Sequence, residues 1–150
     1  MKLLKFCLPL LLSGGVLSGC ATSQPPTIVY HAMGQGLPFS EVVQVGDFWI
    51  LSGQLGNVPG TLELAEGGMP GQAKQTMDNI GAVLAKHGLG FEDVVKCTVM
   101  LEDMADWPAF NEIYAEYFDP DRLPARSAFG ADGLGLGALL EVECWAYESP

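Results

Sequence analysis

Between Glu41 and Ser52 the chain reads Glu-Val-Val-Gln-Val, then Gly46-Asp47, then Phe-Trp-Ile-Leu-Ser. Two β-prone arms around a two-residue Gly-Asp turn predict a hairpin. The second arm is apolar at four successive positions, so both its faces need cover, whereas helices on one side of an antiparallel sheet leave the other side wet. In so small a chain, another copy of the same protein is the simplest cover. Residues 55–69, punctuated by Gly56, Pro59, Gly60, Gly67 and Gly68, predict a loop. The period then turns helical. Ala73, Met77, Ile80, Val83 and Leu84 recur at helical spacing, Pro70 suits a first turn and Gly88 the position after the last, so a helix is predicted from about Pro70 to His87. His87, in its last turn, reads as a cation near the helix C-terminus rather than as a catalytic group.

Val95, Cys97, Val99 and Leu101 alternate with Lys96 and Thr98, which predicts a strand over 94–101. A second helix is expected from near Asp106, an N-cap candidate before Trp107-Pro108, with Phe110, Ile113, Tyr114 and Tyr117 turned inward and Asp119-Pro120 ending it. Ala138 to Tyr147 alternates cleanly. Leu140, Val142, Cys144 and Ala146 make a face fit for helices; Leu139, Glu141, Glu143, Trp145 and Tyr147 make the other. There two carboxylates stand about 7 Å apart among large apolar groups, the composition of a subunit contact or cleft. Hairpin, helix, strand, helix, strand in that order predicts an α+β fold with two helices on one side of a sheet.

The first twenty positions follow a different pattern. Leu3, Leu4, Phe6, Leu8, Leu10, Leu11, Leu12, Val16 and Leu17 crowd behind Lys2 and Lys5, the shape of a signal peptide. Leu17-Ser18-Gly19-Cys20 resembles the lipobox of bacterial lipoproteins, in which the Cys becomes the acylated first residue. Pro9 and Gly14-Gly15 interrupt an apolar run already shorter than the roughly 20 residues of a membrane span. The expected organisation is a leader over 1–19, the lipidated Cys20 and a tether over 20–37, and a folded domain over 38–150. Acyl chains would anchor the domain on the periplasmic side of a bacterial envelope without a transmembrane segment. Ala21, being other than Asp, points by analogy to the outer membrane.

Charge narrows the partners. The 150 residues carry 7 Lys+Arg and 18 Asp+Glu, a formal −11, and loss of Lys2 and Lys5 with the leader makes it −13. Such a chain has no electrostatic attraction for phosphate backbones, so nucleic acid is not expected as a partner. Of four Cys, Cys7 leaves with the leader and Cys20 is acylated. Cys97 and Cys144 remain, outside any C-x-x-C pair and with only His31 and His87 to join them, so no metal site is expected. They read as small buried apolar strand residues, with a disulfide as the alternative in an oxidising compartment. Gly133-x-Gly135-x-x-Ala138 matches a loose dinucleotide fingerprint but precedes a strand rather than a helix, and Ser52 lacks a Gly-x-Ser-x-Gly elbow. Arg126, one of two Arg, lies in an extended stretch after Pro124. Its planar fork suits a carboxylate ligand; pairing with Glu141 or Glu143 across neighbouring strands is equally consistent with the pattern.

The stretches Pro38-Phe39-Ser40, Ile50-Leu51-Ser52-Gly53-Gln54, Gln75-Thr76-Met77-Asp78-Asn79-Ile80, Asp93-Val94-Val95-Lys96, Phe110-Asn111-Glu112-Ile113-Tyr114, Pro124-Ala125-Arg126-Ser127 and Glu141-Val142-Glu143 together resemble the RidA/YjgF family of enamine/imine deaminases. The resemblance runs from Phe39 to Tyr147 in the family's order and spacing. It implies a chorismate-mutase-like α+β fold, a mixed sheet with two helices on one face, assembled as a homotrimer with clefts between subunits. By the same resemblance, Arg126 grips a substrate carboxylate, Glu141 orients the attacking water, and Ser52, Gly53 and Asn111 line the cleft. Phe39 stands where many members have Tyr, and Ala128 where many have Cys. The implied activity is hydrolysis of 2-imino acids to 2-oxo acids and ammonia, with no metal or organic cofactor. The alternative is a non-catalytic envelope lipoprotein that binds a small carboxylate or a protein partner through the same cleft, since imino acids usually arise from cytoplasmic pyridoxal-phosphate enzymes. Ribonuclease activity, also attached to relatives, is hard to reconcile with a charge of −13.

Overall fold

The computed structural model describes residues 25–149, Gln35 apart. The expected leader over 1–19 and the lipidation site Cys20 lie outside these residues. The elements run β1 (Ile28–Ala32), β2 (Ser40–Val45), β3 (Phe48–Leu51), β4 (Gln54–Leu55), α1 (Gly68–Lys86), β5 (Val94–Leu101), α2 (Trp107–Ala115), β6 (Ala125–Gly130) and β7 (Leu140–Tyr147). The strands form one mixed sheet in the order β1-β2-β3-β7-β5-β6, with β4 also paired to β7. Only β5 and β6 are parallel, joined through α2; the other pairs are antiparallel.

The predicted hairpin forms with Val45 opposite Phe48 across the turn, where Gly46 takes φ 59°, a conformation open to glycine at little cost. Helix α1 starts two residues before Pro70 and buries Met69, Ala73, Met77, Ile80 and Leu84 against Val42, Leu51, Val99, Leu140 and Val142 of the sheet. The second helix is shorter than expected, ending at Ala115. Asp106 makes no side-chain cap; Asp103, one turn earlier, accepts from the Ala105 amide at 2.8 Å. Phe110 and Tyr114 are buried as predicted, while Tyr117 lies beyond the helix.

Two expectations change. The stretch assigned to the tether contains β1, which pairs with β2 from Ile28↔Val45 to Ala32↔Ser40, so regular structure begins ten residues earlier than residue 38. One residue, Glu41, is bulged out between the partners of His31 and Ala32. A bulge re-aims its side chain, and the Glu41 carboxylate meets Lys86 Nζ at the end of α1 at 2.6 Å. The second change is at the cysteines. Cys97 and Cys144 face each other across β5 and β7 with Cα atoms 4.1 Å apart and are joined as a disulfide, both fully buried. They are a covalent tie inside the core rather than free thiols.

His87 also departs from its expected role. It caps α1 with its imidazole packed against His31 and Trp49, ring centroids 4.6 and 5.1 Å away. Burial first, then the His31 charge and Lys86, lower its pKa against the opposing pull of the Glu41 carboxylate. The imidazole is therefore uncharged near neutrality and offers the helix end no cation.

Candidate active site

Strand register decides which predicted site residues can meet. Cys97 pairs with both Arg126 and Cys144, and Val99 with both Ala128 and Val142. Paired residues share a face, so Arg126 and Ala128 lie on the face that carries the helices. Met100 pairs with Phe129 and Glu141, and Thr98 with Ser127 and Glu143, which places both carboxylates on the opposite, open face. Arg126 and Glu141 are also separated by a strand and by three residues along the ladder, roughly 14 Å between backbones at ordinary strand spacings. One chain therefore cannot bring them to one small ligand, and the alternative of an internal Arg126–Glu141 or Arg126–Glu143 pair is excluded by the same geometry.

Arg126 sits on the edge strand β6, beside α2. Its guanidinium carbon lies 4.7 Å from the ring centre of Tyr114, 5.1 Å from Trp107 and 5.9 Å from Phe110. Among the described residues it makes no ion pair, and its side chain donates no hydrogen bond within the chain. Asn111 belongs to the same helical stripe as these rings, since 107, 110, 111 and 114 are three and four apart. Its Oδ1 and the Tyr114 hydroxyl are buried without a hydrogen-bond partner. Sequence periodicity marked Phe110 and Tyr114 as core and left their second role unseen; an aromatic stripe on the helix preceding a lone arginine is the signal that could have exposed it.

The second group assembles where β3 passes into β4. Between the pairs Ile50↔Trp145 and Gln54↔Val142, three residues, Leu51 to Gly53, oppose two, Glu143 and Cys144, so the chain bulges at Ser52-Gly53. A side chain at Gly53 would collide with the Glu141 carboxylate, so glycine is required for this close approach. Ser52 donates its hydroxyl to the Ser40 carbonyl at 2.7 Å, tying the bulge to β2; that hydroxyl is engaged and not poised as a nucleophile. Burial first, then the Glu143 charge, pushes the Glu141 carboxyl above the usual carboxylate range. Glu143 itself accepts from Trp145 Nε1 at 2.8 Å.

Gly53 also lines a cleft of about 640 Å³, walled by Phe39, Leu55, Leu62, Val83 and Leu136 among others. Phe39 is half-exposed there. The polar walls are already committed: Asn79 Nδ2 bonds the carbonyls of Leu55 and Asn57 at 2.9 Å, and Gln54 Nε2 bonds that of Ser52. Among the described residues no set of three His, Cys, Asp or Glu side chains is placed to hold a metal ion, and no helix is long and apolar enough to cross a membrane.

An arginine whose side-chain donors find no acceptor among the described residues on one face, and a desolvated carboxylate on the other, are carried by one α+β fold, a mixed sheet with two helices. The chain belongs to the RidA/YjgF family, whose model, described as Endoribonuclease L-PSP, matches residues 30–148. It is 42% identical over 113 residues to the mouse 2-iminobutanoate/2-iminopropanoate deaminase, covering 75% of this chain and 83% of the relative, and 39% identical to the human protein of that name at 75% and 82% coverage. Among solved structures, RidA from an Antarctic Psychrobacter superposes with a TM-score of 0.70 at 36% identity, over 76% of this chain and 91% of the other.

Proposed function

We propose that this protein hydrolyses small 2-imino acids, in equilibrium with their enamine tautomers, to 2-oxo acids and ammonia in a cleft shared by two chains of a homotrimer. The observation that carries the reading is Arg126, a cation at a sheet edge whose side-chain N–H donors no group among the described residues takes. Relatives named deaminases support the reaction class. In this reading Arg126 holds the substrate carboxylate through two parallel hydrogen bonds. A water accepted by ionised Glu141 of the neighbouring chain adds to the imine carbon. The proton taken from the water passes to nitrogen, the C–N bond of the carbinolamine breaks, and ammonia leaves as the carbonyl forms. The imine carbon is already electrophilic, so placement supplies most of the effect.

Assembly is supported by the open face. Tyr30, Phe48, Phe129 and Trp145 expose 70%, 44%, 50% and 39% of their surface there, large apolar side chains spread from one edge of that face to the other, of the kind that interfaces bury. The Cys97–Cys144 disulfide supports work in an oxidising compartment, in keeping with an exported lipoprotein acylated at Cys20. Ribonuclease activity, which the family description names, is left out because an acidic domain lacks the cationic surface that nucleic acid requires.

Co-expression of differently tagged Arg126→Ala and Glu141→Gln chains tests the reading. Each homotrimer should lose ammonia release from freshly generated 2-iminopropanoate by about 100-fold or more. The mixed trimers should recover about a third of wild-type activity, because one of their three clefts then pairs an intact arginine with an intact glutamate. No recovery would refute the shared site, and a wild-type protein no faster than buffer would leave only a carboxylate-binding or partner-binding protein.

A further inference from the structure

Among the described residues, ring faces and no acceptor support the Arg126 side chain. A carboxylate beside an arginine fixes its plane by occupying its N–H donors and cancels its charge. An aromatic face attracts the cation through its quadrupole and occupies none of the donors. The Tyr114 ring is the nearest support at 4.7 Å, with Trp107 at 5.1 Å on the same side of α2. Tyr114 is 5% exposed, its hydroxyl is buried without a partner, and Asn111 Oδ1, beside it on the stripe, is likewise unpartnered.

We infer that Tyr114 is a positioning residue for the carboxylate clamp: its ring, seconded by Trp107, fixes the Arg126 guanidinium plane while leaving every N–H donor open to a small anionic ligand. The inference rests on the reading of Arg126 as the carboxylate-holding group. It assigns a role in ligand capture to a residue that periodicity alone places in the core. Pre-orienting a long, rotamer-rich side chain lowers the ordering cost of binding, so the expected effect falls on affinity and KM more than on kcat.

The test measures 2-oxobutanoate binding by titration calorimetry on the full assembled protein, alongside KM and kcat for 2-iminobutanoate. Tyr114→Phe keeps the ring and should bind within about threefold of wild type, whereas Tyr114→Leu should raise Kd and KM about tenfold, the size one cation–π contact supports, with kcat changed much less. Methylguanidine should restore 2-oxobutanoate binding to Arg126→Ala and fail to do so in Arg126→Ala/Tyr114→Leu, a difference that a merely structural tyrosine would not produce. Trp107→Leu, at the half-buried start of α2, repeats the measurement should Tyr114→Leu not fold. Wild-type affinity in Tyr114→Leu, equal damage from Tyr114→Phe, or rescue that ignores residue 114 would each overturn the inference. Undiminished 2-oxobutanoate binding by Arg126→Ala would instead overturn the carboxylate reading on which it stands.

Discussion

The two faces of the sheet are built from the same strands and obey different rules. On the helix-covered face Val42, Leu51, Val99, Leu140 and Val142 are almost wholly buried, and a disulfide ties the adjacent strands β5 and β7. On the open face the neighbours of those same residues are Ile50, Met100, Glu141, Glu143 and Trp145, partly exposed and mixed in character. The first face answers only to packing. The second mixes exposed apolar side chains with carboxylates. Arg126 is the exception that connects them: a cation on the covered face, tolerated because β6 is an edge strand and α2 offers rings in place of aliphatic side chains.

The sharpest way to break this comparison is to cut one large side chain on each face. Ile80, fully buried under the sheet, should cost about 2–5 kcal/mol as Ile80→Ala, the sum of lost transfer energy and the cavity left behind. Phe129→Lys on the open face should leave the chain's own unfolding midpoint within about 0.5 kcal/mol and yet dissociate the assembly. Denaturant unfolding and size-exclusion chromatography read the two effects separately. If Phe129→Lys leaves the oligomer intact, the open face is not the subunit contact.

The next largest effect belongs to the disulfide, which the covered face contains and the open face lacks. It joins residues 47 apart in sequence, and loop-closure entropy for a bridge of that span gives about 2–4 kcal/mol. Replacing both Cys97 and Cys144 with Ala should lower the denaturant midpoint accordingly, and dithiothreitol should destabilise the wild type but not the double variant. Equal midpoints with and without reductant would show that the bridge does not form in solution.

The readable and unreadable parts of this chain divide along the same line. Hairpin, α1, β5 and β7 were readable because each buries one face, and burial writes a period of 2 or 3.6 into the residues. Strand β1 was not: Ile28-Val29-Tyr30-His31-Ala32 is exposed at four of five positions, so no face selected a pattern. The Cys97–Cys144 bond depends on β5 lying beside β7 in one register, a long-range fact that spacing does not encode. Arg126 and Glu141 were found through resemblance; periodicity left open whether they paired with each other. Only the register shows them on opposite faces, out of reach of one another within one chain.

The smallest effects concern protons, and here the faces differ in sign. Burial penalises whichever form is charged, so it lowers the pKa of His87 on the covered side and raises that of Glu141 on the open side. For His87 the folded state prefers the neutral ring: its contribution is complete above the ordinary value of 6.5 and is lost as pH falls below it. For Glu141 the folded state prefers the protonated acid: its contribution is complete below the ordinary value of 4.5 and is lost as pH rises through the higher folded value. At pH 7 the imidazole is therefore at its stabilising limit, whereas Glu141 lies above its ordinary value, on the side where its burial costs stability, as carboxylates of active sites commonly do. Denaturant midpoints between pH 4 and 8 should show Glu141→Gln inactive but more stable than wild type at pH 7, the advantage fading below 4.5. His87→Gln should flatten the fall in midpoint below 6.5. A Glu141→Gln midpoint at or below wild type at pH 7 would mean that this carboxylate is not held desolvated against Gly53, and the contrast between the faces would lose its electrostatic half.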